Sequence, residues 1–286
     1  MVNITDNAAK YIIVNGDLMD TSLNGDENST PNIVLPFEGD QVYEVIRFVG
    51  RKPLFIKDHY SRMENSAHLS DIVNILGYNE VLEYSRILLE TNLENDCNVK
   101  MICTPGIDAE NYNFVLYISK SFYPDVEMYQ NGVNTNILQC ERDNPNAKIS
   151  KVEYIEKISL FKSQNDIFEV LLFNQDNQLT EGSKSNLFFI IDEVVYTAPE
   201  NMILKGVMRN YVLEACNKLN IQVVQKAIDL DSLDKVDAAF LTGTSIKVLP
   251  IVLIGEKHYC SSQNQVFLKI SKEFNNIINN YLNKEV

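Results

Sequence analysis

Four stretches of the chain set polar residues, glycines or hydroxyls directly beside apolar text, and in each the residue types suit a definite task. In HYSRMENSAHL, Arg62 and Ser66 fall one helical turn apart on one face, which offers a guanidinium to an oxyanion or to a neighbouring acid. In NPNAKISK, Lys148 follows a turn-forming Asn-Pro-Asn and offers an amine, with Lys151 close behind it. In NQLTEGSKSNLFFIID, the carboxylate of Glu181 lies between a strand and a Gly-Ser-Lys-Ser-Asn turn. The last group pairs ILKGVMRNYVL, where Gly206 opens a helix, with FLTGTSIKVLP, a hydroxyl-rich turn after an apolar strand. A glycine turn at a helix start presents backbone N–H groups without helical partners, and hydroxyls from a second turn can complete a phosphate site. Each stretch alone also reads as scaffold: an arginine paired with an acid, a solvated lysine, a loop carboxylate, a turn that binds nothing.

The elements that must hold these residues are legible in outline. VYEVIRFVG and KPLFI form a hairpin around Gly50, and DHYSRMENSAHLSDIVNIL has helical spacing with Asp58 as its N-cap. NEVLEYSRILLETN is a second helix, and NVKMICT with YNFVLYISKSF makes a closing strand pair. Beyond FYPDVEMYQNGVN, which has no clear period, come TNILQCER, the helix KVEYIEKISLFKSQN and the strands FEVLLFN, NLFFIID and EVVYTAP. The helix MRNYVLEACNKLN, the strands IQVVQKAI, AAFLTGT and VLPIVLI, and a C-terminal helix NQVFLKISKEFNNIINNYLN complete the chain. The expected division is a small α+β domain over 1–123, a linker over 124–132 and a larger domain over 133–286.

Bulk properties narrow the classes. With 286 residues, 45% of them apolar, the chain can bury a substantial core. Its 39 acids against 25 bases give a net charge of −14 without a basic stripe, which argues against nucleic acid as a partner. No window holds eighteen consecutive apolar residues, and MVNITDNAAKYIIVNGD has neither a basic n-region nor a cleavage site, so a cytoplasmic protein with no membrane partner is expected. Five cysteines without a CxxC and three histidines without an HExxH point to no disulfide framework and no metal.

Taken together and in order, GDQVYEVIRF, HYSRM, NAK, LTEGSKSNLFFI, TAPENMILKGVMR and FLTGTSIKVLPI resemble the class-IV aminotransferases, which include D-amino-acid and branched-chain aminotransferases and aminodeoxychorismate lyase. The resemblance spans most of the chain, and the TEGSxSN, LKGxxR and TGTS signatures in one order are specific. It implies an α+β fold of two domains, a small α+β sandwich followed by a larger β-barrel-like domain with flanking helices, usually paired as a homodimer. It implies pyridoxal 5'-phosphate as cofactor, with a Schiff base on Lys148, phosphate binding by Arg62 and a pyridine-nitrogen contact from Glu181. The amides of Val207 and Met208 at the start of the Gly206 helix, with Gly243 and Thr244, would complete the phosphate cup, Leu204 would also contact the cofactor, and Ser185 and Asn186 would shape the turn holding Glu181 and approach the cofactor. Tyr43 would wall the ring, and Tyr154 could meet the ring hydroxyl.

Spacing separates the two lysines, since Lys148 stands 33 positions before Glu181 (181 − 148) and Lys151 stands 30, and the family's lysine lies slightly more than thirty before its glutamate. Lys148 is favoured. The family's carboxylate-gripping arginine has no counterpart in NVKMICTPGIDAEN, where Lys100 is the only base. A substrate carboxylate is left to Lys100, to the backbone around Thr104, or to the turn with Thr244 and Ser245. The activity implied is transfer of an amino group between an amino acid, branched-chain or otherwise small and apolar, and a 2-oxo acid. A lyase releasing pyruvate and 4-aminobenzoate from aminodeoxychorismate is the alternative, and a non-catalytic ligand- or partner-binding homologue is the reading from another class.

Overall fold

The computed structural model describes residues 1–24, 33–72, 74–106, 111–142 and 144–284. These form two compact units, Met1–Ser121 with Ala147–Lys151, and Phe122–Asn146 with Val152–Lys284. The stretch read as a linker carries a short helix, Val126–Asn131, whose N-cap Asp125 accepts from the Met128 N–H at 2.9 Å. No helix among the described residues is long and apolar enough to cross a membrane.

In the first unit six strands run Asp17–Asp20, Tyr11–Val14, Tyr112–Ser119, Cys97–Pro105, Val42–Val49 and Lys52–Pro53 across one antiparallel sheet. The turn at Gly50 and Arg51 has positive φ at both residues (55° and 62°), which matches the twist of the hairpin it closes. Strand Val42–Val49 alternates: Val42, Glu44, Ile46 and Phe48 are buried, and the three apolar ones share a core with Met63 and Ala67 of one helix and Val81, Leu88 and Leu89 of another. Glu44 thus occupies a core phase otherwise filled by hydrocarbon. Tyr43, with Ile102 and Tyr117 of neighbouring strands, belongs to the opposite face.

Helix Ile56–His68 begins earlier than its sequence signal implied. Its N-cap is Phe55, fully buried at φ 54° with no side-chain cap bond, while Asp58 sits in the first turn. The strand Lys52–Pro53 feeds almost directly into the helix, so Asp58 falls inside its first turn, where its charge complements the helix dipole. The helix ends at His68, short of the periodic run that continues to Leu76; Val73 of that run lies outside the described residues.

The second unit closes on itself. Strand Asn186–Ile191 pairs with Ala238–Gly243, which pairs with Lys247–Ile254. That strand runs parallel to Val133–Gln139, which runs parallel to Glu169–Phe173. Gln178–Gly182 then joins Glu169–Phe173 back to Asn186–Ile191 through Glu181↔Asn186, completing a six-stranded barrel. Leu171, Leu179, Leu187, Phe189, Leu241, Leu249 and Ile251 lie in one core cluster. Phe188 and Phe240 point the other way, stacked at 4.9 Å, with Phe267 of helix Gln265–Asn283 against them at 5.5 Å. The architecture is α+β with a barrel and flanking helices, as the resemblance implied; alternation alone tells strands but not that their ends meet.

Candidate active site

The residues expected from sequence fall into two groups, one in each unit. In the first, Lys148 is pinned through its backbone: its N–H donates to Ser66 Oγ at 3.1 Å and its carbonyl accepts from the Tyr43 N–H at 3.0 Å. Ile149 bridges to Val42, so the short segment lines the free flank of strand Val42–Val49. Ser66, fully buried, donates in turn to the Arg62 carbonyl at 2.8 Å, so one hydroxyl ties the lysine to the helical turn bearing the guanidinium. The Lys148 amine stands 4.4 Å from the centre of the Tyr43 ring, and the Lys100 amine 5.4 Å from the same ring. Lys151 is exposed.

Lys100 is not solitary. It pairs with Asp6 at 3.2 Å, and Asp6 also accepts the Tyr117 hydroxyl at 2.7 Å. A carboxylate arriving at Lys100 would therefore compete with one already there. Thr104 is buried, its hydroxyl directed to the Pro105 carbonyl at 3.4 Å. Residues 107–110, part of NVKMICTPGIDAEN, lie outside the described residues.

Arg62 engages Glu44 through two guanidinium nitrogens, Nε to Oε1 at 2.6 Å and Nη2 to Oε2 at 2.8 Å. His59 Nδ1 meets the same Oε2 at 2.9 Å, and the Val45 N–H donates to it at 3.3 Å. Burial pushes the Glu44 carboxyl up, but the charge and hydrogen bonds of Arg62, with the bond from His59, outweigh it and hold the group well below the usual carboxylate range. His59 is lowered, chiefly by burial against the pull of Glu44, and the charges of Arg62 and Lys148 add to the lowering. The imidazole is therefore a neutral donor to an ionised acid.

In the second unit, Glu181 lies within a strand, buried, rather than between a strand and a turn. Its Oε1 is 3.1 Å from Arg142 Nε, and its Oε2 accepts from the Leu204 N–H at 3.1 Å. Its register partner Asn186 takes the other side of the same residue, donating to the Leu204 carbonyl at 2.9 Å. Arg142 also donates to the Ser183 carbonyl at 2.9 Å and lies over the Tyr154 ring at 5.0 Å. The Tyr154 hydroxyl donates to that same carbonyl at 3.0 Å, and burial raises its pKa. Ser185 donates to Glu169 at 3.0 Å and Ser183 to Glu169 at 2.6 Å, so a buried acid holds the Ser183–Ser185 turn together.

Helix Val207–Lys218 starts at Gly206, with Val207 and Met208 both buried. A Cβ on Gly206 would lie 1.8 Å from Asn186 Oδ1, so only glycine lets the helix start approach that strand. Gly206→Ala is expected to displace Asn186 from Leu204 and cost roughly 1–3 kcal/mol, read as a lowered melting temperature. Gly243 is less demanding, since a Cβ there would make ordinary contact with Ile246 and, at 3.7 Å, with the Lys184 carbonyl. That second contact sets the turn of Gly243, Thr244 and Ser245 beside the Ser183–Ser185 turn.

The family described as Amino-transferase class IV matches residues 41–254, well over half of the chain. The chain belongs to the class IV aminotransferases. Among proteins of this kind it is similar to the D-alanine aminotransferase of Staphylococcus aureus (strain N315), 26% identical over 231 residues, 75% of this chain and 79% of the relative. Its fold is that of the branched-chain amino acid aminotransferase from Escherichia coli, with a TM-score of 0.78 at 18% identity over 95% of each chain. It is also that of a Legionella pneumophila chain assigned as a 4-amino-4-deoxychorismate lyase, with a TM-score of 0.75 at 20% identity over 88% of this chain and 97% of that one.

Class IV aminotransferases depend on pyridoxal 5'-phosphate. The donors present fit that group. In the first unit Lys148 has an amine that would suit an aldehyde and Arg62 a guanidinium that would suit a phosphate; in the second, the Gly206 helix start has N–H groups that would suit a phosphate and Glu181 a buried carboxylate that would suit a pyridine nitrogen.

Sequence reading passed over Glu44, His59, Arg142 and Glu169. An acid in the apolar phase of VYEVIRF, and another in FEVLLF, were signals that could have been taken. Arg142 stands in a loop with no period around it, and only the geometry exposes its pairing.

Proposed function

We propose that the protein is a pyridoxal-phosphate-dependent aminotransferase that moves an amino group between a small apolar amino acid and a 2-oxo acid. The observation that carries the reading is the setting of Lys148, whose backbone is held by Ser66 and Tyr43 and whose amine rests against the Tyr43 ring. When bound, the cofactor supplies an aldehyde that takes up amino groups and a ring that accepts the electron pair left at the substrate's α-carbon. Lys148 would hold that aldehyde through its amine and, when free of it, would accept and return the proton exchanged at the substrate's α-carbon. Arg62 would offer a guanidinium to the phosphate, and the amides at Val207 and Met208 and the Gly243–Thr244 turn would be further donors suited to it. Glu181, its carboxylate held by Arg142 and the Leu204 N–H, would offer a negative charge to the pyridine nitrogen and favour its protonated form. Ser185 and Asn186 shape the turn and strand around Glu181, and Tyr43 would wall the ring. Pairing as a homodimer belongs to the same proposal; the exposed Val152, Ile155 and Leu160 on helix Val152–Asn165 support it, and light scattering reads it.

The missing arginine and the commitment of Lys100 to Asp6 favour one rival, a lyase releasing pyruvate and 4-aminobenzoate from aminodeoxychorismate. A panel of amino donors, with 2-oxoglutarate and pyruvate as acceptors, is run beside an aminodeoxychorismate assay. Turnover that requires a 2-oxo acid, with Michaelis constants of roughly a millimolar for small apolar donors, is expected. Pyruvate release without any acceptor would replace the aminotransferase with the lyase, and an inert protein with no absorbance near the visible edge would exclude both.

A further inference from the structure

We propose that Glu44, backed by His59, is a positioning residue that fixes the direction from which Arg62 meets a phosphate. The inference rests on the reading of Arg62 as the phosphate ligand.

Glu44 occupies a place in its strand where its neighbours two residues away, Val42 and Ile46, are core hydrocarbon, and it is fully buried. A buried carboxylate is costly unless it is matched in charge and its lone pairs are filled. Here both conditions hold: four donors converge on it, Arg62 Nε and Nη2, His59 Nδ1 and the Val45 N–H. Two parallel bonds between a planar guanidinium and one carboxylate fix the plane of the guanidinium and its rotation about the Cδ–Nε bond, which a single bond would leave soft. His59 contributes a hydrogen bond without a charge, since burial keeps its imidazole neutral, and this prevents the carboxylate from turning away from Arg62.

The arrangement has a cost that makes the inference testable. Glu44 neutralises Arg62, which lowers the long-range attraction for a phosphate dianion. If the acid served only to balance charge, its removal would tighten phosphate binding. If it aims the guanidinium, its removal would loosen binding despite the gain in net charge, and the second outcome is the one proposed.

The test compares apo-protein affinities for pyridoxal phosphate and for phosphate-free pyridoxal, titrated by absorbance, so that the ratio isolates the phosphate and general destabilisation cancels. Glu44→Gln is expected to lower the ratio about tenfold, because the amide offers one acceptor and turns a second donor toward the guanidinium. An unchanged or raised ratio overturns the proposal. His59→Gln, which keeps a donor, is expected to hold the ratio near the parent value, and His59→Leu to lower it; equal ratios for the two would remove His59 from the device. Should Glu44→Gln not fold, the His59 pair carries the test alone, and its equality then overturns the proposal. Arg62→Lys, which keeps the charge and loses the fork, separates the two levels of the argument. If it leaves the ratio unchanged, Arg62 is not the phosphate ligand and the underlying reading fails. If it lowers the ratio while Glu44→Gln does not, only the role of Glu44 fails.

Discussion

Lys148→Ala is expected to lower turnover by roughly four orders of magnitude, the upper end for loss of a positioned proton-transfer group, and to abolish the absorbance band that pyridoxal phosphate gives when held on an amine. The loss is chemical rather than structural. Both bonds that place the residue, to Ser66 Oγ and from the Tyr43 N–H, are made by its backbone and survive the substitution. Its melting temperature without cofactor is therefore expected to stay within a degree or two of the parent, as for changes that leave packing intact. Lys151→Ala, at an exposed position, is expected to retain both band and turnover. Borohydride reduction with peptide mapping gives the direct answer: a pyridoxyl label on Lys151 would reverse the assignment.

Arg62→Ala is expected to do more than weaken cofactor binding. It removes the counter-charge from a carboxylate with no access to water, and breaking a buried pair in this way costs roughly 3–5 kcal/mol. For a protein of this size that is a fall of about ten degrees in melting temperature. The double variant Arg62→Met with Glu44→Gln, which removes both charges, is expected to recover most of it. The same pair sets an acid dependence whose sign can be worked out. Glu44 is held below its ordinary value of 4.5 and His59 below its ordinary 6.5, so the unfolded chain takes up protons first at both sites as the pH falls. Stability is fully present above 6.5, declines as His59 would protonate in the unfolded chain, and declines further below 4.5 on account of Glu44. Melting curves from pH 7 down to pH 3 check this. A double variant that loses stability across the acidic part of that range as steeply as the parent would show that the carboxylate responsible lies elsewhere.

What the sequence made legible follows from range. Helices and strands rest on neighbours in the chain, so the runs VYEVIRFVG, NLFFIID and NQVFLKISKEFNNIINNYLN show their period directly. The barrel does not, because its closing contacts join strands far apart, such as Val133–Gln139 with Lys247–Ile254. Residues bearing a motif, among them Lys148, Glu181 and Gly206, are legible because they stand in polar or glycine turns set beside apolar runs. The residues that orient them were harder to see. Glu44 was hidden inside a regular alternation, Glu169 inside an apolar run, and Arg142 in a loop where nothing local constrains its type. Asp58 illustrates the opposite error: a residue of capping type near a helix start, displaced by a buried aromatic at the true boundary.

The course of the chain through Ala147–Lys151 bears on any attempt to take the protein apart. The backbone leaves the second unit for five residues, donates the lysine to the edge of the first unit's strand Val42–Val49, and returns. No single cut therefore yields two self-sufficient fragments. A recombinant piece ending at Ser121 would keep Arg62 and Glu44 but lack the reactive amine, and the remainder would carry that amine with none of the partners that hold it.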